Sequence, residues 1–599
     1  MEPGARRGMG PRLRRFPTRH LVLAAIVLAT LLLRGCHLRD HLASPLGAFE
    51  EIAQTTDCAT FAAWAKRIAA GDWLCRNAYH PYFDWMERVA PKERFLAWWG
   101  GPEVYHQNPL YPYLLAVSYT VFGSSVGLLV LQVLASAFGV VLLYDLGRRL
   151  SGPVAGLCSA ALGAVFAPSI VLDTLVLRAS LNSSTTLLSV WALVALAQRP
   201  TRHGSVWTGA CLAAGFLLRP TGLLLLLAAP LLLLVDQGSR RLWRRWLPGL
   251  LAGVVVVMAP FVTRNAVVGA PLLRFSTRGP ETVIQANSRE MEPGFMTTPK
   301  KEDFPRLLDE GHASLGAALA TSIRSWPESH LGWWLWHMGQ KLICVLRDYE
   351  YMDNLNYEYF RARTPVLRAL PTFGWIVGLG LVGLVLLPRT RTHRGAVCIF
   401  LVAAAGLLVG CVLGFALGRY RMPLAVLLTV PAGIALTRGA AWVRHRRVVP
   451  LVLAGAVVVA VTASSYAVLP ARAFFPGGAP MLMAGHTRGL FERCMLLRAE
   501  EHCHAARGLV RRGDPTGATR VLDDYLAAYQ RLFQGESEGV DRLTDTAAQR
   551  LGHDINLGMW RRNLEMVEKT LRELGNPTRA ADVARTIAAI DKHRRGEGR

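Results

Sequence analysis

This 599-residue sequence has few acidic residues and no cysteine motif with a recognisable spacing. Asp and Glu total 42 against 67 Lys and Arg, and charged residues make up only 18% of the chain. The ten cysteines form no CxxC pair and no Cys/His cluster at zinc spacing, which argues against a structural zinc site. The basic residues fall in short clusters between apolar runs and do not form one patch, so the net charge of +25 does not indicate a nucleic-acid partner.

Long apolar runs are what the sequence has in abundance. Hydrophobic residues make up 52% of the chain and the mean hydropathy is +0.27, values too apolar for an ordinary soluble enzyme. The pattern predicts an all-α, polytopic membrane protein with about eleven spans. The apolar runs lie at about 20–34, 112–145, 152–172, 174–197, 206–219, 221–235, 247–263, 369–387, 396–417, 422–438 and 448–468.

The basic clusters predict how these spans are oriented. They recur after every second span, as expected if all of them face the cytoplasm. No small-residue cleavage site follows the first apolar run, so residues 1–19 are predicted to be a cytoplasmic basic N-terminus before an uncleaved span. An odd number of spans then places residues 469–599 outside the cytoplasmic membrane. The clusters are Arg6 to Arg19, Arg148 with Arg149, Arg199 to His203, Arg240 to Arg245, Arg389 to Arg394, and Arg444 to Arg447.

Two hydrophilic loops in the membrane domain, 20–468, are too long to be mere connectors. They cover about 35–108 and about 264–366, and long loops in compact proteins usually carry function. In the first loop, "DCATFAAWAKRIAAGDW" predicts an amphipathic helix, ended by Gly71 and lying at the membrane surface. Asp57 begins this helix, either as an ordinary helix-initiating residue or as a carboxylate with a chemical role.

The tail predicts a separate helical domain. "GDPTGATRVLDDYLAAY" from Gly513 and "GNPTRAADVARTIAAI" from Gly575 form a near repeat in which a Gly-Asx-Pro turn precedes a helix. The pattern is similar to degenerate tetratricopeptide units, and a generic helical bundle explains it equally well. Two cysteine pairs, Cys58 with Cys75 and Cys494 with Cys503, fall in segments predicted to be external, where disulfides form, although spacing alone does not pair them.

Several motifs occur in an order that resembles a known family. The set resembles the polytopic C-type glycosyltransferases of the protein-mannosyltransferase and aminoarabinose-transferase kind, bacterial members with a tetratricopeptide-like tail among them. The likeness covers about 20–470. The motifs are "DCATFAAWAKRIAAGDW", "HQNPLYPYLLAVSYTVFG", "LLRPTGLL", "RNAVVGAPLLRFSTRGPETVIQAN", "GQKLICVLRDYEYMDN" and "GRYRMP".

The resemblance implies a membrane glycosyltransferase and a set of catalytic candidates. Such an enzyme takes a sugar from a polyprenyl-phosphate carrier and transfers it, with inversion, to a protein, lipid or envelope glycan at the outer membrane face. An acidic residue of the first external loop acts as the base, and Asp57 matches that position, with Glu50 and Glu51 as alternatives. Asp173, in the short turn after the third span, is implied as a second acidic site residue, unless it is only a polar turn residue.

Cations for the donor phosphate are expected at the outer ends of spans. A leaving phosphate requires fixed cations or N–H donors, and an isolated basic residue at such a position also has the simpler explanation of a snorkelling flank residue. The candidates are Arg264, Lys341, Arg419, Arg421 and Arg219. Glu350 and Asn354 in the second loop are expected to bind sugar hydroxyls or a metal, but no spacing specifies a metal and no cofactor is assigned.

Two other classes of function remain open at this point. Arg219 lies between two apolar runs at a Pro break, as charged residues do in transporters, so a lipid or solute transporter or flippase is one alternative. A catalytically inactive membrane scaffold whose helical tail recruits a protein partner is the other.

Overall fold

The computed structural model describes residues 18–76, 78–235, 240–289, 291, 293, 302–326, 330–351, 354–355, 357–361, 363–389, 394–466, 499–533 and 553–594. Across these ranges the regular elements are all helical, and no strand occurs among them. The prediction of an all-α membrane fold is therefore confirmed. Residues 467–498, where the predicted boundary between membrane domain and tail falls, lie outside the described ranges, as does Cys494.

The helices follow one another with short connections in the membrane part and longer ones in the two hydrophilic loops. The first loop and early spans contain α1 (Thr18–Ala43), α2 (Phe49–Ile52), α3 (Asp57–Ala69), α4 (Asp84–Glu87), α5 (Lys92–Trp99), α6 (Leu110–Phe122), α7 (Val126–Ser151), α8 (Pro153–Ala164), α9 (Ala167–Asp173), α10 (Ala179–Gln198), α11 (Arg202–Leu218), α12 (Gly222–Val235) and α13 (Trp243–Val268).

The second loop, the last spans and the tail complete the chain. They contain α14 (Arg278–Asn287), α15 (Phe304–Gly311), α16 (Leu315–Arg324), α17 (His330–Leu346), α18 (Tyr357–Arg361), α19 (Phe373–Leu386), α20 (Arg394–Leu413), α21 (Gly418–Arg444), α22 (Val448–Tyr466), α23 (499–511), α24 (Pro515–Phe533), α25 (His553–Glu573) and α26 (Pro577–Arg594). Two 3₁₀ turns, Pro365–Ala369 and Leu387–Arg389, flank α19.

Seven of the described helices are long and apolar enough to cross a membrane, or eight if α8 and α9, bent by 56°, form one span. Shorter apolar helices add to these, so the count of eleven stays a prediction. One predicted run, 112–145, is two helices, because the chain turns at Gly123, whose φ of +65° suits glycine. Continuous hydropathy across this turn concealed the break.

Close helix packing in the membrane part depends on small residues. Where α11 crosses α13, a Cβ added at Gly209 would lie 2.0 Å from the carbonyl oxygen of Leu250, and one added at Gly253 would lie 1.9 Å from that of Val206. Neither backbone could approach the other with a larger side chain at these positions. The two glycines therefore allow the tight crossing that apolar helices need in lipid, where dispersion contacts replace the hydrophobic effect.

The three predicted external regions meet at one end of the helices. In the contact between the two loops, Trp99 Nε1–H donates to Glu281 Oε2 at 2.7 Å. The tail joins them where Arg512 Nη1–H donates to the carbonyl oxygen of Ala43 at 2.7 Å, at the end of α1. These contacts join the two loops and the tail to one another; that this face lies outside the membrane stays a prediction.

The amphipathic helix of the first loop is present as α3, but its apolar face packs on protein and not on the membrane surface. Phe61 contacts Tyr111 with ring centroids 5.0 Å apart, and Trp64 lies 5.9 Å from Tyr105. Both Phe61 and Trp64 are buried. The expectation of a surface-lying helix was therefore wrong, because the pattern of an apolar face does not say what covers it.

The described part of the tail, 499–533 and 553–594, forms two helical hairpins around a core of its own. α23 and α24 join at Gly513 (φ +81°), and α25 and α26 join at Gly575 (φ +73°). In both turns the Asx side chain caps the next helix: Asp514 Oδ1 accepts from the N–H of Gly517 at 2.8 Å, and Asn576 Oδ1 accepts from that of Arg579 at 3.1 Å. Membership of the tetratricopeptide class stays a prediction.

The sequence left two disulfides open; Cys58 and Cys75 are not bonded to each other, and Cys494 of the second pair lies outside the described residues. Cys58 and Cys75 are separate buried thiols, as is Cys503. Cys75 Sγ instead accepts a hydrogen bond from Trp64 Nε1–H at 3.4 Å. External placement of two cysteines does not orient their side chains toward each other.

Candidate active site

A polar cavity of about 330 Å³ opens where the two loops meet the start of α21. Its walls carry two carboxylates of the first loop, Asp57 and Asp84, with several arginines, several amides and a few aromatic side chains. The lining residues are Thr55, Thr56, Asp57, Pro81, Phe83, Asp84, Trp85, Met86, Arg88, His106, Gln107, Arg178, Arg278, Thr282, Gln285, Asn354, Phe415, Arg419, Tyr420 and Glu500. The first loop, second loop, span ends and tail thus all contribute to one site.

Asp57 is placed in this cavity by the start of α3. Thr56 caps the helix, since its hydroxyl accepts from the N–H of Ala59, and this leaves the Asp57 side chain available to other groups. Gln107 Nε2–H donates to Asp57 Oδ1 at 3.4 Å, and Asn354 Nδ2–H donates to Oδ2 at 3.3 Å. Residues from both predicted external loops therefore hold the same carboxylate.

Arg419, the second residue of α21, forms an ion pair with Asp57 through its Nη1. Burial acts to raise the pKa of Asp57, but the positive charges of Arg419, Arg178 and Arg278 outweigh it and hold that pKa well below its ordinary value. The carboxylate is therefore ionised at neutral pH. Its side chain is 24% exposed, so a small molecule in the cavity can reach it.

Three arginines of the cavity lining, Arg178, Arg278 and Arg419, form a cationic wall beside the Asp57 carboxylate. Arg178 and Arg278 were not among the candidates from the sequence. Arg178 lies in the turn before α10, and its Nη1 is buried without a hydrogen-bond partner among the described residues. Arg278 begins α14, where its Nη1 pairs with Glu281. The wall is thus able to bind an anion next to Asp57.

A second, apolar cavity of about 260 Å³ shares Tyr420 with the first. Arg219 stands at its polar end, with its guanidinium carbon 3.7 Å from the centroid of the Tyr420 ring. Nη1 of Arg219 also donates to the backbone carbonyl of Arg419 at 3.4 Å. The remaining walls come from α12 with the residue before it, α20 and α21: Thr221, Leu224, Leu225, Ala228, Val402, Gly406, Leu407, Val409, Gly410, Cys411 and Pro423.

Two of the expected phosphate ligands lie outside the cavity lining and bind backbone instead. Arg264 donates to the carbonyl oxygens of Leu74 and Glu103, both at 2.7 Å, and its guanidinium lies over Tyr105. Lys341 donates to the carbonyl oxygen of Ala286 at 3.1 Å, and burial lowers its pKa to about 7. Both side chains are tied to loop carbonyls, so they position the loops around the cavity.

Arg421 and Glu350 form a buried ion pair of 2.7 Å, away from the cavity. Arg421 also donates to the carbonyl oxygen of Val345 at 3.0 Å, and Gly418 N–H donates to that of Tyr351 at 2.7 Å. These contacts fix the segment 345–351 against α21. Asn354, three residues further on, is the member of this segment that reaches Asp57.

The alternative bases lie apart from Asp57. Glu50 is buried and accepts from Ser125 Oγ–H at 2.5 Å, and burial raises its pKa. Glu51 is partly exposed and pairs with Lys66 at 2.9 Å and with Arg511 of the tail at 3.4 Å. Neither glutamate is among the cavity-lining residues.

Asp173 is sealed within the helices. Arg34 Nε–H of α1 donates to its Oδ2 at 2.7 Å, Ser180 Oγ–H donates to Oδ1 at 2.5 Å, and the side chains of the pair are only 1% and 2% exposed. Asp173 thus ties α1 to the α9–α10 turn. It borders a separate space of about 20 Å³ and not the main cavity.

Several cavity residues were missed by the sequence analysis, although the signals were present. Arg178 lies inside the predicted run 174–197, and an ionisable residue within a membrane segment is a functional candidate by default. Arg278, Thr282 and Gln285 have the i, i+4, i+7 spacing of one helix face, and all three line the cavity. Gln107 is the second residue of the motif "HQNPLYPYLLAVSYTVFG", which carries part of the family resemblance.

The described residues contain no group of three His, Cys, Asp or Glu side chains arranged to hold a metal ion. The buried histidine at the cavity, His106, is better suited to a neutral role, because burial lowers its pKa well below the ordinary value. Thr277 Oγ1–H donates to the carbonyl oxygen of His106 at 3.1 Å.

The chain was compared with known protein families. Residues 106–263 match the family model described as dolichyl-phosphate-mannose-protein mannosyltransferase. The matched segment begins at His106 and covers α6 to most of α13, including Arg178 and Arg219. It confirms the resemblance that the sequence motifs indicated, over well under half of the chain.

Solved structures of several membrane transferases are similar to the chain. ArnT from Cupriavidus metallidurans, bound to undecaprenyl phosphate, is 15% identical with a TM-score of 0.41, over 95% of this chain and 80% of that one. The apo oligosaccharyltransferase of Archaeoglobus fulgidus is 13% identical with a TM-score of 0.39, over 78% of this chain and 59% of that one. At these values the likeness transfers neither site residues nor activity. No curated protein matches the chain.

Proposed function

We propose that this chain is a membrane glycosyltransferase that moves a sugar from a polyprenyl-phosphate donor to an acceptor at the outer face of the cytoplasmic membrane. The observation that carries the proposal is the arrangement of the two cavities. A polar cavity with a carboxylate and arginines shares a wall, Tyr420, with an apolar cavity between membrane helices. A substrate with a sugar, a phosphate and a long hydrocarbon chain needs those environments in that order.

The carboxylate of Asp57 is the general base in this proposal. A hydroxyl of the acceptor gives its proton to Asp57 as its oxygen attacks the anomeric carbon of the donor sugar. The bond from that carbon to the phosphate oxygen breaks, and the electron pair stays on the phosphate. Attack opposite the leaving group with one base gives inversion, and a positioned base contributes typically about 10²–10⁴-fold.

Arg419 and Arg178 are proposed to bind the donor phosphate. Arg178 has a buried Nη1 without a partner among the described residues, and Arg419 can turn from Asp57 to a phosphate oxygen. Such a transfer removes part of the positive charge from Asp57, so its pKa rises toward the range in which a carboxylate accepts a proton effectively. The same step that binds the donor therefore activates the base.

Arg219 links the phosphate to the lipid. Its stacking on Tyr420 places a cation at the polar end of the apolar cavity, where it would lie between the phosphate and the first isoprene units. This residue was the one feature that favoured a transporter. Its position beside the catalytic cavity supports the transferase instead, since a carrier lipid with a phosphate head accounts for it.

The match of residues 106–263 to the mannosyltransferase family supports a lipid-linked sugar donor. The acceptor is proposed to be a protein, a lipid or an envelope glycan, reached from the side where the loops and tail meet. With the N-terminal basic segment inside, the tail lies outside, and its two helical hairpins are available to a protein partner. The roles of Arg264, Lys341 and Arg421 are proposed to be structural.

Substitution of the base tests this function. Membranes containing Asp57→Asn protein should transfer radiolabelled sugar from undecaprenyl-phosphate donors to membrane-fraction acceptors at least about 100-fold more slowly than wild type. Asp309→Asn, in the second loop and outside the cavity lining, is the matched control and should transfer normally. Undiminished transfer by Asp57→Asn at equal expression would refute the assignment, and absence of any wild-type transfer would favour the inactive scaffold.

A further inference from the structure

We propose that Gln285, together with Gln107, binds hydroxyl groups of the transferred sugar, so that the donor carries a neutral polyhydroxylated ring at this wall of the cavity. The proposal rests on the glycosyltransferase function and adds to it a substrate class and a specificity-determining residue. Both amides line the polar cavity that contains Asp57.

The amide of Gln285 is buried and has no hydrogen-bond partner among the residues that the structure describes. Its side chain belongs to a residue only 1% exposed, and neither Nε2 nor Oε1 has a hydrogen-bond partner among the described residues. Gln107 is 6% exposed, donates through Nε2 to Asp57, and has an unpartnered Oε1. Buried amide groups are normally paired because leaving them unpaired is costly. A ligand that pairs with these amides would explain them.

The position of Gln285 is held firmly by its neighbours. Lys341 Nζ donates to the carbonyl oxygen of Ala286 at 3.1 Å and to Asn287 Oδ1 at 2.8 Å. Asn287 Nδ2–H in turn donates to the carbonyl oxygen of Leu413 at 2.8 Å, at the end of α20. The last turn of α14 is thus fixed to two other helices. Lys341 acts here as a positioning residue, and the turn that carries Gln285 in the cavity lining has little freedom to move.

An amide and a hydroxyl match each other chemically. Each both donates and accepts a hydrogen bond, so Gln285 can use Nε2 and Oε1 on one hydroxyl or on two adjacent ones. A carboxylate or phosphate would use the donor only, and an ammonium the acceptor only. In the proposed function, the phosphate is bound by the arginines of the cavity. Gln107 donates a hydrogen bond to Asp57, the proposed base. We therefore assign the group that binds beside the two amides to the transferred sugar.

Binding measurements separate this inference from the proposed function. Purified wild-type protein in lipid nanodiscs is titrated with undecaprenyl phosphate and with its mannosyl, glucosyl and galactosyl derivatives. Gln285→Leu is compared with Gln198→Leu, a matched change at the end of α10, outside both cavity linings. We expect wild type to bind at least one sugar-bearing lipid more tightly than the bare lipid, and Gln285→Leu to lose about 3- to 10-fold of that preference.

The stability of the ligand-free variant gives an independent readout. Because Leu removes an unpaired buried amide, Gln285→Leu should unfold at the same temperature as wild type or higher, while a structural glutamine would leave a less stable protein. Equal loss of affinity for bare and sugar-bearing lipid, or no loss, would overturn the inference while leaving the glycosyltransferase intact. If wild type bound no polyprenyl phosphate, the proposed function itself would fail.

Discussion

Two Asp–Arg ion pairs in this protein have the same chemistry but different surroundings. Asp57 and Arg419 meet at the cavity, with 24% and 14% of their side chains exposed, whereas Asp173 and Arg34 are 2% and 1% exposed. Both aspartates were candidates for catalysis. The difference is what else surrounds each pair.

The sealed pair has every strong interaction satisfied by the fold. Arg34 donates to the carbonyl oxygens of Ala164 and Gly163 at 3.0 and 3.4 Å, besides Asp173. At the cavity, amides from two loops support Asp57 at longer distances of 3.3 and 3.4 Å, and the nearby Arg178 has an unpartnered nitrogen. A charged group whose hydrogen bonds are all made within the protein holds the fold together. A charged group with a donor or acceptor left unpaired is available to a ligand.

The largest expected contrast is in stability between two Asp→Asn variants. Asp173→Asn leaves Arg34 buried without its counter-charge and should lower the free energy of unfolding by about 3–5 kcal/mol. Asp57→Asn removes a charge from a strongly positive, partly exposed cavity and should change it much less. Thermal unfolding of both purified variants in one detergent checks the ordering; a similar melting temperature for the two would remove the distinction between the pairs.

Phosphate binding gives the next contrast, between an arginine of the cavity and one bound to backbone. Arg178→Gln should weaken binding of undecaprenyl phosphate about 10- to 100-fold, as expected for loss of a charge-assisted hydrogen bond. Arg264→Gln should leave the affinity near that of wild type and lower the melting temperature, since carbonyls of the first loop lose their donor. Isothermal titration calorimetry below the melting temperatures of both variants measures their affinities for undecaprenyl phosphate. A larger loss of affinity for Arg264→Gln than for Arg178→Gln would contradict the assignments.

A pH profile sharpens the role of the cavity pair. Because nearby arginines hold the pKa of Asp57 well below its ordinary value, the base is ionised in the free enzyme, and kcat/KM should show no acid limb down to about pH 5. Arg419→Gln removes the strongest lowering charge while burial continues to raise that pKa. Its acid limb should therefore move to higher pH. Profiles with the same acid limb would show that Arg419 does not control the base.

The contrast also explains how far the sequence could predict this molecule. Apolar runs predicted the all-helical membrane fold, because such a fold depends on the sum of many residues. Asp57 was singled out by its position alone. Arg264 was a candidate and Arg178 was not, because the number of backbone carbonyls around a guanidinium depends on how distant loops fold.

The smallest expected effect concerns Glu51, the alternative base. It pairs with Lys66 and Arg511 in positions where the side chains are 37–56% exposed, so solvent screens the interaction and Glu51→Gln should cost less than about 1 kcal/mol of stability. Sugar transfer should stay within about twofold of wild type, since Glu51 does not line the cavity and the tail keeps its contact through Arg512 and Ala43. Initial transfer rates measured beside Asp57→Asn check this, and a loss as large as that of Asp57→Asn would move the base from Asp57 to Glu51.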